Sequence, residues 1–308
     1  MNKLQRSWLL MKSSLSVIGR NKELLVFPMV IFACTVVIVL FFLAPPVLRP
    51  TGYSYTSAAH WQAISHSLFR QSADAAAANG NHVVFTPAAL AYLTFLYFLS
   101  MFVATFCNVA FYHEILAALS QQPVSIIRGL KFAATKLKPI LMWTLFAGLV
   151  GLLIKAIEER LALVGRIIAR LIGIAWSVAA VFAIPVIVRE EQSSNPVAVL
   201  RKSATALKRT WGEALIGYVG LTFANTLILL GSLVWLFAAV AASVALHNFF
   251  IAAFAGLAWI LALFAWAYIT SVASQVYRGA LYLYAAEGII PAPYNQEMLD
   301  MAWKYKKG

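Results

Sequence analysis

The side chains able to do chemistry are few, and their spacing does not suit catalysis. His60, His66 and His82 share one polar stretch with Asp74, which is enough ligand chemistry for a metal in principle. No His-Glu-x-x-His or Cys-x-x-Cys spacing accompanies them, so they read as solvated loop histidines, and neither a metal nor another cofactor is expected. His113 beside Glu114 reads as an ion or hydrogen-bond pair at headgroup level rather than an acid–base couple, and His247 as a turn residue. Cys34 and Cys107 fall in apolar runs, where free thiols behave as small hydrophobes; a redox pair is the sharper alternative. No glycine-rich phosphate loop and no Gly-x-Ser-x-Gly elbow occurs. With no nucleophile and base together, the chain is expected not to be an enzyme.

A second set of residues is polar but uncharged. Asn108, Asn225 and Gln275, joined by Thr222, Thr226, Ser271 and Ser274, lie inside apolar runs. In hydrocarbon such groups need partners, so they should face the interior of a helix bundle. They read either as interhelical hydrogen bonds or as the lining of a polar cavity. The cavity would make the protein a channel or transporter for a small solute or lipid. No carboxylate or lysine sits at mid-depth, which argues against a proton-coupled pump.

Apolar helices must position all of these groups. The 308-residue chain is 62% hydrophobic and 11% charged, against about 45–50% and about 25% in a soluble domain. Too little polar surface remains to cover a water-soluble globule, so lipid must be the solvent for much of the chain. A secreted disulfide scaffold is also excluded, with only two cysteines, both in apolar runs. The formal charge of +13 is carried outside those runs, which points to anionic phospholipid as partner and not to nucleic acid.

Six stretches meet or approach the roughly 20 residues that a spanning helix needs: 26–43, 88–112, 139–154, 171–188, 214–246 and 249–276. All should be helices, because open strand edges would leave backbone groups unpaired in lipid. The expected fold class is all-α, a single polytopic membrane domain. Segment 1–25 would be an amphipathic helix, 49–87 an outer loop and 277–308 a tail. The third stretch is short, so five spans is the alternative to six. Lys and Arg divide 18 against 6 between the two sides, which would place both termini in the cytoplasm. Lys155, Arg160, Arg166 and Arg170 fall on the sparse side, offset by Glu158 and Glu159, and would suit an interfacial helix. The first apolar run is too long for the core of a cleavable signal peptide, so none is expected.

Basic segments of helical period precede spans one, three and five. Their apolar stripes are Leu4, Trp8, Met11, Leu15 and Ile18; Ile127, Leu130, Ala134 and Leu137; and Val197, Leu200, Ala204, Leu207 and Trp211. Such helices lie in the membrane interface, apolar face down and cations toward headgroups. Arg128, Lys131, Arg201, Lys202, Lys208 and Arg209 are the expected headgroup contacts, with Trp8 and Trp211 as anchors. The run from Pro123 to Arg128 parallels that from Pro196 to Arg201, so the economical plan is three repeated units, each an interfacial helix followed by a hairpin. Pro123, Pro139 and Pro196 suit first helical turns, whereas Pro28 and Pro185 should kink or loosen spans one and four.

Several stretches together resemble an uncharacterised bacterial multi-pass membrane family, domain-of-unknown-function family 6159. They are Lys22-Glu23-Leu24-Leu25-Val26-Phe27-Pro28, Trp143 with Val150-Gly151, Ile157-Glu158-Glu159 and Gly165-Arg166-Ile167-Ile168. Further along come Gly173-Ile174-Ala175-Trp176-Ser177, Pro185 to Glu190, Leu200-Arg201-Lys202-Ser203 with Thr210-Trp211-Gly212-Glu213, and Tyr277 to Tyr284. The resemblance covers nearly the whole chain outside 49–87. It implies a six-helix inner-membrane protein and lends no activity. More distantly, the plan is similar to the membrane domain attached to some glycerophosphodiester phosphodiesterases, whose catalytic domain this chain lacks. The expectation is a non-enzymatic inner-membrane protein that engages anionic phospholipid, as a lipid-binding or envelope scaffold protein. A homo-oligomer or an envelope protein partner is compatible with it.

Overall fold

The computed structural model describes residues 3–71, 83–161, 163–190 and 194–300, without the side chains of 3–7, 70–71, 83–84, 163–164, 210–228, 297 and 300. The chain runs through α1 (Lys3–Arg20), a 3-10 turn (Lys22–Leu25), α2 (Val26–Val47), α3 (Ala58–Leu68), β1 (Phe69–Gln71) and β2 (Val83–Phe85). It continues through α4 (Pro87–Leu119), α5 (Ile126–Thr135), α6 (Leu137–Arg160), α7 (Leu163–Ala179), α8 (Ala183–Arg189) and α9 (Pro196–Ala245). Last come α10 (Phe249–Tyr282), a π-type turn (Leu283–Glu287) and α11 (Gln296–Asp300). The two strands form a small antiparallel ribbon in the loop after α3, with Phe69 opposite Phe85.

The protein is all-α and polytopic. Among the described residues five helical stretches are long and apolar enough to cross a membrane: Lys22–Val47, Pro87–Leu119, Leu137–Arg160, Gly165–Arg189 and Phe249–Glu287. The short third run is therefore part of a full-length helix. The expected fifth span lies in α9, whose described apolar stretch is Leu229–Ala245.

Proline decides where the helices break, because its ring clashes with the carbonyl four residues back. Pro28, Pro139 and Pro185 each occupy the third position of a helix (α2, α6 and α8), where no N–H is needed. The regular helix is interrupted just upstream of each, at 21–25, at Lys136 and at 180–182. After Pro196 no proline occurs before Ala245, and α9 runs unbroken for 50 residues, about 75 Å. The third basic segment is thus a continuation of span five, not a separate interfacial helix. Residues 155–170 form no interfacial helix either, since α6 reaches Arg160 and α7 starts at Leu163. Pro196 does open α9, but Pro123 precedes α5, whose cap is Ser125.

The packed core occupies one end of the bundle. One buried cluster joins Leu10, Met11, Val17 and Ile18 of α1, Phe27 of α2 and Val109 to Tyr112 with Ile115 of α4. It continues through Phe182 to Val188, Val199 and Leu207 of α9, Val272 to Leu283, Tyr294 and Leu299. Beyond it the same helices turn apolar side chains outward, as with Leu90 and Phe95 on α4 or Phe254 and Phe264 on α10. These outward-facing lengths, 87–106 and 249–271, extend about 30–35 Å, the thickness of a bilayer's hydrocarbon. Gly148 of α6 meets Phe98 and Met101 of α4, which puts Leu141 about level with Phe106 at the boundary between the two storeys.

Helices α1 and α5 dock on protein, and their buried faces are rotated from the expected stripes. Helix α1 buries Leu10, Met11, Ser14, Val17 and Ile18 but leaves Trp8 exposed. Helix α5 buries Gly129 and Ala133 and leaves Ile127 and Ala134 exposed, as is Leu137 at the start of α6. The tail closes over α1, with Ser14 Oγ 2.8 Å from the Tyr294 hydroxyl. Burial pushes that hydroxyl's pKa up, and the bond to Ser14 only partly offsets it.

Candidate functional site

In the packed storey α4 carries Glu114, which is completely buried. An unpaired carboxylate there would be strongly destabilising, and four donors meet this one. His113 Nδ1 lies 2.9 Å and Arg128 Nε 3.0 Å from Oε1. The Ser125 N–H lies 2.7 Å and Arg128 Nη2 2.6 Å from Oε2. The His113 ring stacks on Phe132 with centroids 4.0 Å apart. Since the Ser125 hydroxyl also caps α5 by accepting from the Arg128 N–H, the loop and helix are pinned to α4 as one piece. Gly129 stands at the crossing, where a Cβ would sit 2.9 Å from both the Ala110 carbonyl and Glu114 Cγ. The pair of His113 and Glu114 is thus a buried structural cage. Arg128, read from sequence as a headgroup contact, gives its guanidinium to Glu114 and to the Pro123 carbonyl. The bond to Glu114 holds its pKa above the ordinary value, against the opposing effect of desolvation.

The other expected headgroup contacts divide by partner. Lys202 pairs with Glu190, and Arg209 donates to the Ala285 carbonyl at 3.4 Å. Arg189 adds an ion pair to Glu287 at 2.8 Å. Lys131, Arg201 and Lys208 are exposed and have no hydrogen-bond or ion-pair partner among the described residues. Lys131 lies half a turn past Gly129, close to the storey boundary. Arg201 and Lys208 share one face of α9. Lys22, just ahead of α2, and Lys138, in the first turn of α6, are also exposed. Trp8 is exposed, and the Trp211 side chain lies outside the described residues.

Ser203, which sequence reading passes over, is wholly buried on the inner face of α9. Its hydroxyl accepts from the Phe182 N–H at 3.0 Å and donates to the Ala179 carbonyl at 2.5 Å. It thereby supplies backbone bonds lost where span four breaks ahead of Pro185. A hydroxyl on the apolar face of a basic helix was the signal.

Several uncharged polar residues of the spans bond within their own helices. Asn108 donates to the Ala104 carbonyl at 2.9 Å, Thr270 to that of Trp266 at 2.9 Å and Ser274 to that of Thr270 at 2.8 Å. For Asn108 and Ser274 the expected interhelical bonds give way to bonds one turn back, and Ser271 is exposed on α10. Gln275 is half-buried on α10, while the side chains of Asn225, Thr222 and Thr226 lie outside the described residues. Cys107 and Cys34 are free thiols within hydrogen-bond reach of each other. His60 is not solvated: it is buried, with Nδ1 2.6 Å from Thr51 Oγ1 and Nε2 3.2 Å from the Val47 carbonyl, and so fastens the loop to the end of α2. His66 is exposed, His82 lies outside the described residues, and His247 occupies the α9–α10 turn at positive φ. Among the described residues no group of three or more His, Cys, Asp or Glu could hold a metal.

No curated protein and no solved structure matches the chain. A family model described as a family of unknown function, DUF6159, matches residues 88–291. That interval takes in the Glu114 cage, Ser203 and the exposed cations of α5 and α9. Because the match covers more than half of the sequence, the chain belongs to this family.

Proposed function

We propose that the protein is a non-enzymatic integral protein of the bacterial inner membrane, whose packed end faces the cytoplasm and engages anionic phospholipid. One observation carries the reading. Lys22 and Lys138, at the entries to α2 and α6, and Lys131, on α5, are exposed near the storey boundary, with no side-chain partner among the described residues. Each cation at an anionic surface contributes about 1 kcal/mol. Arg201 and Lys208 of α9 are exposed as well. The Glu114 cage and the ion pairs of Arg189 and Lys202 hold the helices that present these cations. The excess of Lys and Arg on this end supports cytoplasmic termini.

The test is lipid co-purified with the full-length protein in mild detergent, quantified by mass spectrometry. Lys131→Glu combined with Lys138→Glu should lower bound phosphatidylglycerol and cardiolipin several-fold. Arg201→Glu with Lys208→Glu should lower them as well. Unchanged anionic lipid in the first variant would count against the proposal.

A further inference from the structure

Helices α6 and α7 form a hairpin on the far side of the apolar storey, and between them runs a groove of about 540 Å³. Ile154, Gly173, Ile174 and Val178 form its walls, and Glu158 and Arg170 stand at one end. The volume falls within the range of roughly 300–1,000 Å³ typical of small-molecule sites. Around it Ile167, Ile168, Leu171 and Ile174 are exposed, so the groove opens sideways into hydrocarbon rather than into water. A groove of that kind is filled by lipid. Water would find too few polar partners along its walls, and empty space would forfeit dispersion contacts.

The polar end gives the groove a headgroup preference. Arg170 Nε lies 2.7 Å from Glu158 Oε1, with both side chains partly exposed. Glu158 comes 17 residues after Leu141 on a continuous helix, about 26 Å along its axis, hence near the far edge of a ~30 Å hydrocarbon layer. At that depth a lipid tail in the groove brings its headgroup to this pair. Among the described residues Arg170 reaches Glu158 through Nε, which leaves its Nη groups for a phosphate. The Glu158 carboxylate suits an ammonium, while the neighbouring Glu159 pairs with Lys155 at 4.0 Å.

We propose that the α6–α7 groove seats one acyl chain of a zwitterionic aminophospholipid, with its phosphate on Arg170 and its ammonium on Glu158. This site is separate from the cationic ring at the packed end. Native mass spectrometry of the full-length protein in mild detergent, with phosphatidylethanolamine, phosphatidylglycerol or inorganic phosphate added, tests it. The unaltered protein should retain one phosphatidylethanolamine in preference to phosphatidylglycerol. Arg170→Ala should lower that retention about tenfold. Gly173→Leu, which fills the groove and keeps both charges, should do the same. The isosteric Glu158→Gln should abolish the preference, and it decides the matter if the other variants fail to fold. Lys131→Glu with Lys138→Glu should leave phosphatidylethanolamine retention unchanged, which separates this site from the anionic-lipid reading. Equal retention of both lipids by the unaltered protein, displacement by inorganic phosphate, or an unchanged preference in Glu158→Gln would each overturn the proposal.

Discussion

Helix α4 passes through two environments, and so does α10. Along 87–106 of α4, Leu90 and Phe95 are more than half exposed, whereas Val109, Ala110, Phe111 and Ile115 are inaccessible to solvent a few turns later. On α10, Phe264 is 71% exposed while Val276 and Ala280 are at 0%. Large apolar residues run through both halves of each helix, while His113, Glu114, Gln275 and Arg278 fall only in the packed halves. What changes for the apolar residues is the surroundings. In the packed storey neighbouring helices cover each side chain, and the polar groups sealed in there, Glu114 and Ser203, have their partners. In the apolar storey lipid covers what protein leaves bare, and the polar groups there are met either by a neighbouring helix, as Trp259 Nε1 donates to Ser232 Oγ at 3.0 Å, or by a carbonyl of their own helix, as Thr270 donates to that of Trp266.

Substitutions should therefore cost very different amounts in the two storeys, measured by unfolding in mixed micelles. The largest effect is expected from Glu114→Ala, which leaves the Arg128 guanidinium and the Ser125 N–H without their acceptor, at about 3–5 kcal/mol. Leu281→Ala empties space in the packed core and should cost about 2–4 kcal/mol. Ser203→Ala exposes the unmet backbone groups of Phe182 and Ala179, at about 1–3 kcal/mol, and should loosen α7 from α8. Phe264→Ala, in the apolar storey, should cost no more than about 0.5 kcal/mol, because lipid meets that position in either case. A loss of several kcal/mol from Phe264→Ala would mean that protein, not lipid, covers this face.

Much of the fold was legible in the sequence because apolar length and proline are strong signals. The spans follow from runs of about 20 residues, and each main break lies just ahead of Pro28, Pro139 or Pro185. The same rule, applied to the stretch after Pro196, would have shown that the third basic segment continues into span five. The faces of α1 and α5 were harder to read. An amphipathic stripe looks alike whether it meets lipid or protein, and Gly129 on α5 gave no sign in isolation that it sits on Ala110 and Glu114. The role of Arg128 stayed hidden for the same reason, since its partner lies 14 positions back, across the turn between two helices. His60 was misread because nothing in its neighbours marks a loop that folds around its own histidine.

The central claim is that lipid surrounds the loosely packed storey while the packed storey stands in water on the inner side. Single cysteines introduced by Trp61→Cys, Ile127→Cys or Phe264→Cys, with Cys34→Ala and Cys107→Ala, can be probed with a membrane-impermeant maleimide. All three positions are exposed in the folded chain, at 49%, 66% and 71%. The account predicts labelling of Trp61→Cys in intact cells, of Ile127→Cys only after the inner membrane is opened, and of Phe264→Cys in neither condition. Labelling of Ile127→Cys in intact cells, or of Phe264→Cys as fast as Trp61→Cys, would contradict it.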